Sequence, residues 1–146
     1  MENKLNDLVD KICAYHSEHD TRDFYQKVHL CLAECLSLLD VSLLKKDEID
    51  IIHQSKELLN NNDSVEMKEK YIYISNRWDP KEKDNKKRNC ALRSIMSLFI
   101  TFDDYGDNEC YRPETLEYIV GYLLCAGVKA DEIYLVLKEN FGLYFK

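Results

Sequence analysis

Residues 89–102, NCALRSIMSLFITF, form the longest apolar run of this chain and contain no Gly, Pro or acidic residue. The large apolar side chains recur at helical spacing, with Ala91, Leu98 and Phe102 widening a stripe made by Leu92, Ile95, Met96, Phe99 and Ile100. A helix that is apolar around most of its girth belongs inside a bundle. The run is shorter than the ~20 residues needed to cross a bilayer. We therefore predict a central core helix at 89–102.

Amphipathic patterns on both sides of this run predict six further helices. They cover 3–17, a stretch from a cap at 20 or 21 through 39, a stretch from a cap at 47 through 59, 64–76, a stretch from Pro113 to a stop at Gly127, and the residues from 130 or 131 onward. The run YIYI at 71–74 is rich in β-formers and could be a strand. We favour a helix there, because the rest of the chain offers no pairing strand.

Composition agrees with a helical domain. The chain has 146 residues, of which 45% are hydrophobic and 32% charged, and only four are Gly and two Pro. An all-β protein needs more turn residues than this, and a chain of this length can bury a core without disulfides or metals. The expected fold is an all-α, single-domain bundle of about seven helices, spanning 1–146 around the helix at 89–102.

The net charge of −7 bears on the class of partner. An acidic chain is a poor general ligand for nucleic acid and a suitable one for a basic protein, although acidity also serves plain solubility. The one basic run, KEKDNKKR at 81–88, is diluted by Glu82 and Asp84 and has only Trp78 as a nearby aromatic. Stacking recognition uses several aromatic residues. We expect a solvated loop at 81–88 and no nucleic-acid binding.

The six cysteines lie at positions 13, 31, 35, 90, 110 and 125. Most fall on apolar helix faces, where a free Cys behaves as a small hydrophobic residue. The first residues, MENKLNDLVD, lack the apolar segment of a signal peptide. We therefore expect a cytoplasmic protein without a disulfide framework and without membrane attachment.

Motifs for metals and catalysis are weak. Cys13, His16 and His19 are spaced by three, but a metal needs further ligands in suitable geometry. The acidic loop after Phe102 fails the spacing of a calcium-binding EF-hand, because, counting from Asp103, position 3 is Tyr105 and the Gly falls at position 4 instead of 6. No G-x-S-x-G, H-E-x-x-H, C-x-x-C or phosphate-binding glycine loop occurs. We expect neither a cofactor, nor a metal, nor enzymatic activity.

The loops flanking the central helix combine acids and aromatics. Such side chains are typical of interface anchors, although aromatic rings there could equally roof the core with their polar tips in water. The acids could form a face offered to a basic partner, or a plain solvated loop. The candidate partner-binding residues are Trp78, Asp103, Asp104, Tyr105, Asp107, Glu109 and Tyr111.

Four stretches together resemble the helical immunity proteins of bacterial polymorphic toxin systems, in particular the all-α immunity family marked by a conserved tryptophan. They are FYQKVHLCLAECLSLL at 24–39, NRWDP at 76–80, NCALRSIMSLFITFDD at 89–104 and PETLEYIVGYLL at 113–124. Trp78 corresponds to the family tryptophan. The resemblance implies a non-catalytic cytoplasmic protein that binds a cognate toxin domain and blocks it. A basic toxin would fit the acidic surface, since charge complementarity speeds association.

A second class of function stays open. Small, acidic, Cys- and Tyr-rich helical bundles also occur among viral proteins that mimic apoptosis regulators, and these bind an amphipathic helix in a groove. A groove beside 89–102 would favour that interpretation, and a closed, filled bundle would oppose it. A polar pocket with convergent His and Cys side chains would instead favour an enzyme.

Overall fold

The computed structural model describes residues 2–78, 86–105 and 111–145. The helices in these ranges are α1 (Glu2–Glu18), α2 (Arg22–Leu36), α3 (Lys46–Asn61), α4 (Ser64–Ser75), α5 (Lys86–Leu98), α6 (Tyr111–Cys125) and α7 (Ala130–Phe141). Short 3₁₀ turns lie at Val41–Leu43, Phe102–Tyr105 and Gly142–Phe145. The described ranges hold no strand, which confirms the prediction of an all-α, single-domain fold. None of their helices has both the length and the apolar character that a membrane crossing requires.

Helix α5 lies at the centre of the bundle, as predicted. It packs against α6, α4 and α2, while α1 and α7 complete the bundle by packing on each other and on α6 and α2. Leu92, Ile95 and Leu98 of α5 are fully buried. Burial of such side chains stabilises a fold by about 1.5–3 kcal/mol each, so α5 supplies much of the driving force for packing.

The C-terminal boundary predicted for the central helix is wrong. Helix α5 ends at Leu98, four residues before Phe102. The backbone N–H groups of Phe99 and Ile100 bond to carbonyls three residues back, which tightens the last turn. The Asp104 carboxylate then accepts the Thr101 N–H at 2.7 Å and starts the next turn. Phe99 nevertheless stays in the core, 1% exposed.

The N-terminal boundary is also wrong, because Lys86, Lys87 and Arg88 belong to α5 and not to a loop. Arg88 reaches α3 and binds both carboxylate oxygens of Glu48, at 2.8 and 2.9 Å. It also donates to the Leu43 carbonyl at 2.8 Å. These bonds hold the start of α5 against α3.

Several predicted helix ends agree with the structure. Thr21 caps α2 by accepting the Phe24 N–H, and Asp63 caps α4 by accepting the Glu66 N–H. Gly127 follows α6 with φ +99, a conformation that favours glycine. The stretch 64–76 is a helix and not a strand.

Two other ends differ from prediction. Helix α3 starts at Lys46 and has Lys45 at the cap position predicted for Asp47. The Glu48 carboxylate accepts a hydrogen bond from the Lys45 N–H at 2.8 Å, which satisfies a backbone donor at the start of α3. Helix α2 stops at Leu36, because Leu38 and Leu39 make tight three-residue turns instead. Leu39 is still buried, so the apolar pattern continues beyond the end of the helix.

One disulfide corrects the expectation of free thiols. Cys90 of α5 bonds to Cys125 of α6, thirty-five residues later, with the two Cα atoms 5.9 Å apart. Cys13, Cys31 and Cys35 are free, as expected. Cys110 lies outside the described residues. The bond joins the two helices that form the centre of the bundle.

Candidate partner-binding surface

Asp103 lies in the 3₁₀ turn after α5 and is paired. Both of its carboxylate oxygens accept hydrogen bonds from Arg22 at the start of α2, one of them at 2.9 Å. The hydrogen bond from Arg22 holds the pKa of Asp103 below its ordinary value. Both side chains are well exposed, at 61% for Arg22 and 68% for Asp103. The pair therefore contributes little stability and stays accessible to another molecule.

Asp104 has a structural role on the same turn. One carboxylate oxygen accepts the Thr101 N–H at 2.7 Å, and the side chain is exposed. A carboxylate fixed in this way loses less side-chain entropy on meeting a partner than a free one does. Asp103 and Asp104 thus form a preorganised acidic turn, which we call the 103–104 turn.

Phe102 connects this turn to α2 and α6. The guanidinium of Arg112 lies 4.1 Å from its ring centroid, and that of Arg22 lies 4.9 Å away. Arg112 is 5% exposed and binds both oxygens of Asp20, at 2.9 and 2.7 Å. The hydrogen bond from Arg112 also lowers the pKa of Asp20. Arg22 therefore holds the 103–104 turn against the start of α2. Arg112 links the neighbouring Phe102 to Asp20, in the loop between α1 and α2.

A cavity of about 260 Å³ opens beside the turn, and Arg22 and Asp103 line it together with Tyr25, His29 and Asn62. His29 is 1% exposed, and its Nδ1 lies 3.0 Å from the Tyr25 carbonyl oxygen. Its Nε2 has no hydrogen-bond partner within the described ranges. Burial lowers the pKa of His29 to about 4, so the ring is neutral near pH 7 and adds no charge to the cavity.

Trp78 lies elsewhere on the bundle. Its half-buried ring packs against the core, and the Arg93 guanidinium stands 4.6 Å from its centroid. The same guanidinium lies over the ring of Tyr122 of α6, also 4.6 Å from its centroid. No contact joins Trp78 to Asp103 or Asp104 within the described part of the chain. Trp78 is thus placed with Arg93 and Tyr122, and not at the 103–104 turn.

The structure describes only part of the remaining candidate set. Asp107 and Glu109 lie outside the described residues. Tyr105 and Tyr111 belong to described helical turns, at Phe102–Tyr105 and at the start of α6, but their side chains are outside the description. The acidic surface is therefore defined here by Asp103 and Asp104.

Arg22, Arg112 and Asp20 hold the 103–104 turn in place, and the sequence analysis does not predict them. Each contact joins residues far apart in sequence: Arg22 and Asp103 are separated by 81 positions, and Asp20 and Arg112 by 92. A single charged residue at a helix start carries no signal of such a partner. The proximity of Arg22 to Asp103 follows from the packing of the bundle alone.

Three buried or partly buried Cys and His side chains have pKa values that keep them uncharged at neutral pH. Burial raises the pKa of Cys13 to about 12, and the hydrogen bond that the Cys31 thiol donates to Cys35, together with burial, raises the pKa of Cys31. A thiol with a raised pKa is a poor nucleophile at neutral pH. Burial lowers the pKa of His16 to about 4. In the ranges described, no three His, Cys, Asp or Glu side chains come together to hold a metal ion.

No protein-family model matches this chain, and no curated protein or solved structure is significantly similar to it. The resemblance to the helical immunity proteins therefore stays a prediction.

Proposed function

We propose that this chain is an immunity protein that binds a cognate bacterial toxin domain and neutralises it without chemistry of its own. The observation that carries the proposal is the 103–104 turn, an exposed and preorganised acidic feature on a chain of net charge −7. Opposite charge on a partner raises the rate of encounter and disfavours wrong partners. The expected partner is a basic toxin domain.

Arg22 supports this role for Asp103. It holds the carboxylate in one orientation through two hydrogen bonds, yet it remains exposed enough to be displaced or to share its partner. A basic side chain from a toxin could insert beside Arg22 and bind Asp103, while Asp104 keeps the turn in shape. The proposal does not depend on Trp78 at this place, because Trp78 lies with Arg93.

The proposed location is the cytoplasm of the producing cell, where the chain would meet a toxin before its export. A reducing cytoplasm opens most disulfides. The proposal therefore predicts that Cys90 and Cys125 are thiols in the cell, and that the bond forms on exposure to oxidant.

The alternative, a module that binds an amphipathic helix in an apolar groove, fits the packing less well. Ala91, Leu92, Ile95 and Leu98 of α5 are fully buried, so the apolar side of the central helix is already covered by the bundle. The surface of α5 that borders open space carries Lys86, Cys90 and Arg93. The open cavity there is lined by charged side chains as well as by apolar ones such as Val9 and Leu124, so it is not the apolar groove that this alternative requires.

A growth-protection assay tests the proposed function. A toxin domain encoded beside this gene is expressed in a bacterial host, alone and together with the chain. We expect growth arrest with the toxin alone and normal growth with both. Protection should be lost when Asp103→Lys and Asp104→Lys are combined, and kept with Glu139→Lys, which reverses an exposed charge on α7. Failure of the unaltered chain to protect, although both proteins are expressed in soluble form, would reject the proposal.

A further inference from the structure

Arg93 of α5 has an unusual environment. Its guanidinium lies over both the Trp78 ring and the Tyr122 ring, 4.6 Å from each centroid. No hydrogen bond or ion pair links it to another residue of the described ranges, and its Nε is buried without a partner. A buried donor without an acceptor is costly, and a guanidinium carries five donors. Arg93 is only partly buried and lines an open cavity, so its terminal N–H groups are accessible to another molecule.

The space for that molecule is an open cavity of about 710 Å³ between α1, α5 and α6, which we call the Arg93 cavity. Lys86, Cys90 and Arg93 line it from α5, at the spacing of one helix face. From α6 it is lined at the same kind of spacing by Glu114, Glu117, Tyr118, Gly121 and Cys125. Glu114 lies 3.3 Å from the Tyr118 hydroxyl, and neither Glu114 nor Glu117 binds Arg93. Within the described ranges, the guanidinium is therefore left without a carboxylate, although two carboxylates lie on the same cavity.

Gly121 gives a second, independent indication of a binding site at the Arg93 cavity. A glycine inside a helix lowers stability relative to alanine. Here it is not required by crowding, because a Cβ at this position would meet nothing within 4 Å. Its φ is not in the left-handed region either. Gly121 forms a notch in the wall of the Arg93 cavity, and such a notch allows close approach by another backbone.

We propose that the Arg93 cavity binds a segment of a partner polypeptide that presents an Asp or Glu side chain to Arg93. The open mouth, the glycine notch and the exposed Tyr118 at 54% fit a polypeptide, because sites for small molecules enclose most of the ligand. Tyr, Trp and Arg are also the residues that dominate binding at protein interfaces. The site is separate from the 103–104 turn and does not rest on toxin binding.

NMR can test the proposal through two side chains. Trp78 is the only tryptophan of the chain, so its indole N–H signal is assigned at once, and the Arg93 Nε–H signal is assigned by comparison with Arg93→Lys. The probes are a capped alanine pentapeptide with a central glutamate, its glutamine counterpart, and sodium acetate, at constant ionic strength. We expect saturable shifts of both signals with the glutamate peptide in the millimolar range, at least about tenfold weaker binding of the glutamine peptide, and weaker binding of acetate.

Three variants sharpen the result. Arg93→Lys keeps the charge but loses the planar, stacked fork, and should remove binding. Gly121→Leu places a side chain in the notch, where its Cβ would meet nothing within 4 Å, and should remove binding while thermal stability is unchanged or higher. Arg22→Lys alters an arginine that already pairs with Asp103, and should bind as the unaltered chain does. The proposal is overturned if neither signal shifts, if acetate binds as tightly as the glutamate peptide, or if the folded Gly121→Leu variant still binds.

Discussion

Arg88 donates two hydrogen bonds to the Glu48 carboxylate, at 2.8 and 2.9 Å, and so holds the start of α5 against α3. Arg77, just beyond α4, adds a third bond to the same carboxylate at 3.0 Å. Glu48 is completely buried, and burial alone would raise its pKa. Bonds from Arg88, the Lys45 N–H and Arg77 outweigh burial and lower the pKa. One buried charge thus joins three helices.

Replacing Glu48 by alanine should destabilise the fold strongly. Loss of one partner from a buried ion pair costs about 3–5 kcal/mol. Here two arginines, Arg77 and Arg88, would lose the carboxylate that they bind. Urea denaturation followed by circular dichroism measures the change. Asp50→Ala removes an exposed carboxylate from the same helix and should change the free energy of unfolding by less than about 0.5 kcal/mol. A similar small effect at both positions would show that Glu48 does not hold the three helices together.

His29 should make the fold less stable as the pH falls from about 6.5 to about 4. In the unfolded chain His29 has a pKa near 6.5, whereas burial lowers the folded pKa to about 4. Across this window the unfolded state binds a proton that the folded state does not, so acid favours unfolding. At about pH 4, the loss of unfolding free energy is on the order of 3 kcal/mol. Burial lowers the pKa of His16 in the same direction.

Urea denaturation across this pH range measures the effect. His29→Leu removes the titrating group and should flatten the dependence of the unfolding free energy on pH. His53→Leu, at an exposed position of α3, should leave the slope as it is. An unchanged slope in a folded His29→Leu variant would mean that other groups, such as Glu48 and Asp20, set the acid sensitivity.

Periodicity was enough to predict the helices but not the contacts that end them. The stripe through Leu92, Ile95 and Phe99 marks the buried side of the central helix, because only helical spacing puts these side chains on one face. It gives no sign that the helix stops at Leu98, since Phe99 remains buried after the helical hydrogen bonds have ended. The apolar pattern reports burial, and here burial extends beyond the helix.

The candidate surface was predictable only as a set of charges. Asp103 and Asp104 stood out as exposed acids beside the core helix, and they are exposed. Their fixed orientation depends on Arg22 and on the Thr101 N–H, and the Arg22 contact spans most of the chain. Trp78 stands out as the single tryptophan of the chain, but its partner Arg93 lies inside the apolar run, where a lone basic residue gives no sign of this contact. Long-range pairs of this kind require the packed structure.

Removing the disulfide should lower stability measurably. The Cys90–Cys125 bond spans 35 positions, and closing a loop of that size in the unfolded chain is worth about 4 kcal/mol in the chain-entropy model. Cys90→Ala combined with Cys125→Ala should therefore melt earlier than the oxidised chain. A reducing agent should bring the unaltered chain to nearly the same melting point and leave the double variant unaffected. Equal melting of the oxidised chain and the double variant would show that the bond does not stabilise the fold.

Asp104 separates the electrostatic role of the acidic turn from its structural role. Asp104→Asn removes the charge but keeps an oxygen that can accept the Thr101 N–H, now 2.7 Å from the carboxylate. With a basic toxin partner, we expect slower association at low salt, by a few-fold for Asp104→Asn and by about tenfold when Asp104→Lys and Asp107→Lys are combined. Dissociation should change less, because exposed charges act mainly on encounter.

Surface plasmon resonance at several salt concentrations measures both rates against the toxin domain that the growth assay identifies. The differences in association should shrink as salt rises, because screening shortens the range of the charges. Glu139→Lys gives the same reversal of charge on α7 and serves as the matched control, with an association rate close to that of the unaltered chain. If all variants associate at the same rate, the toxin docks on another face, and the 103–104 turn serves only to end the central helix and join it to α2.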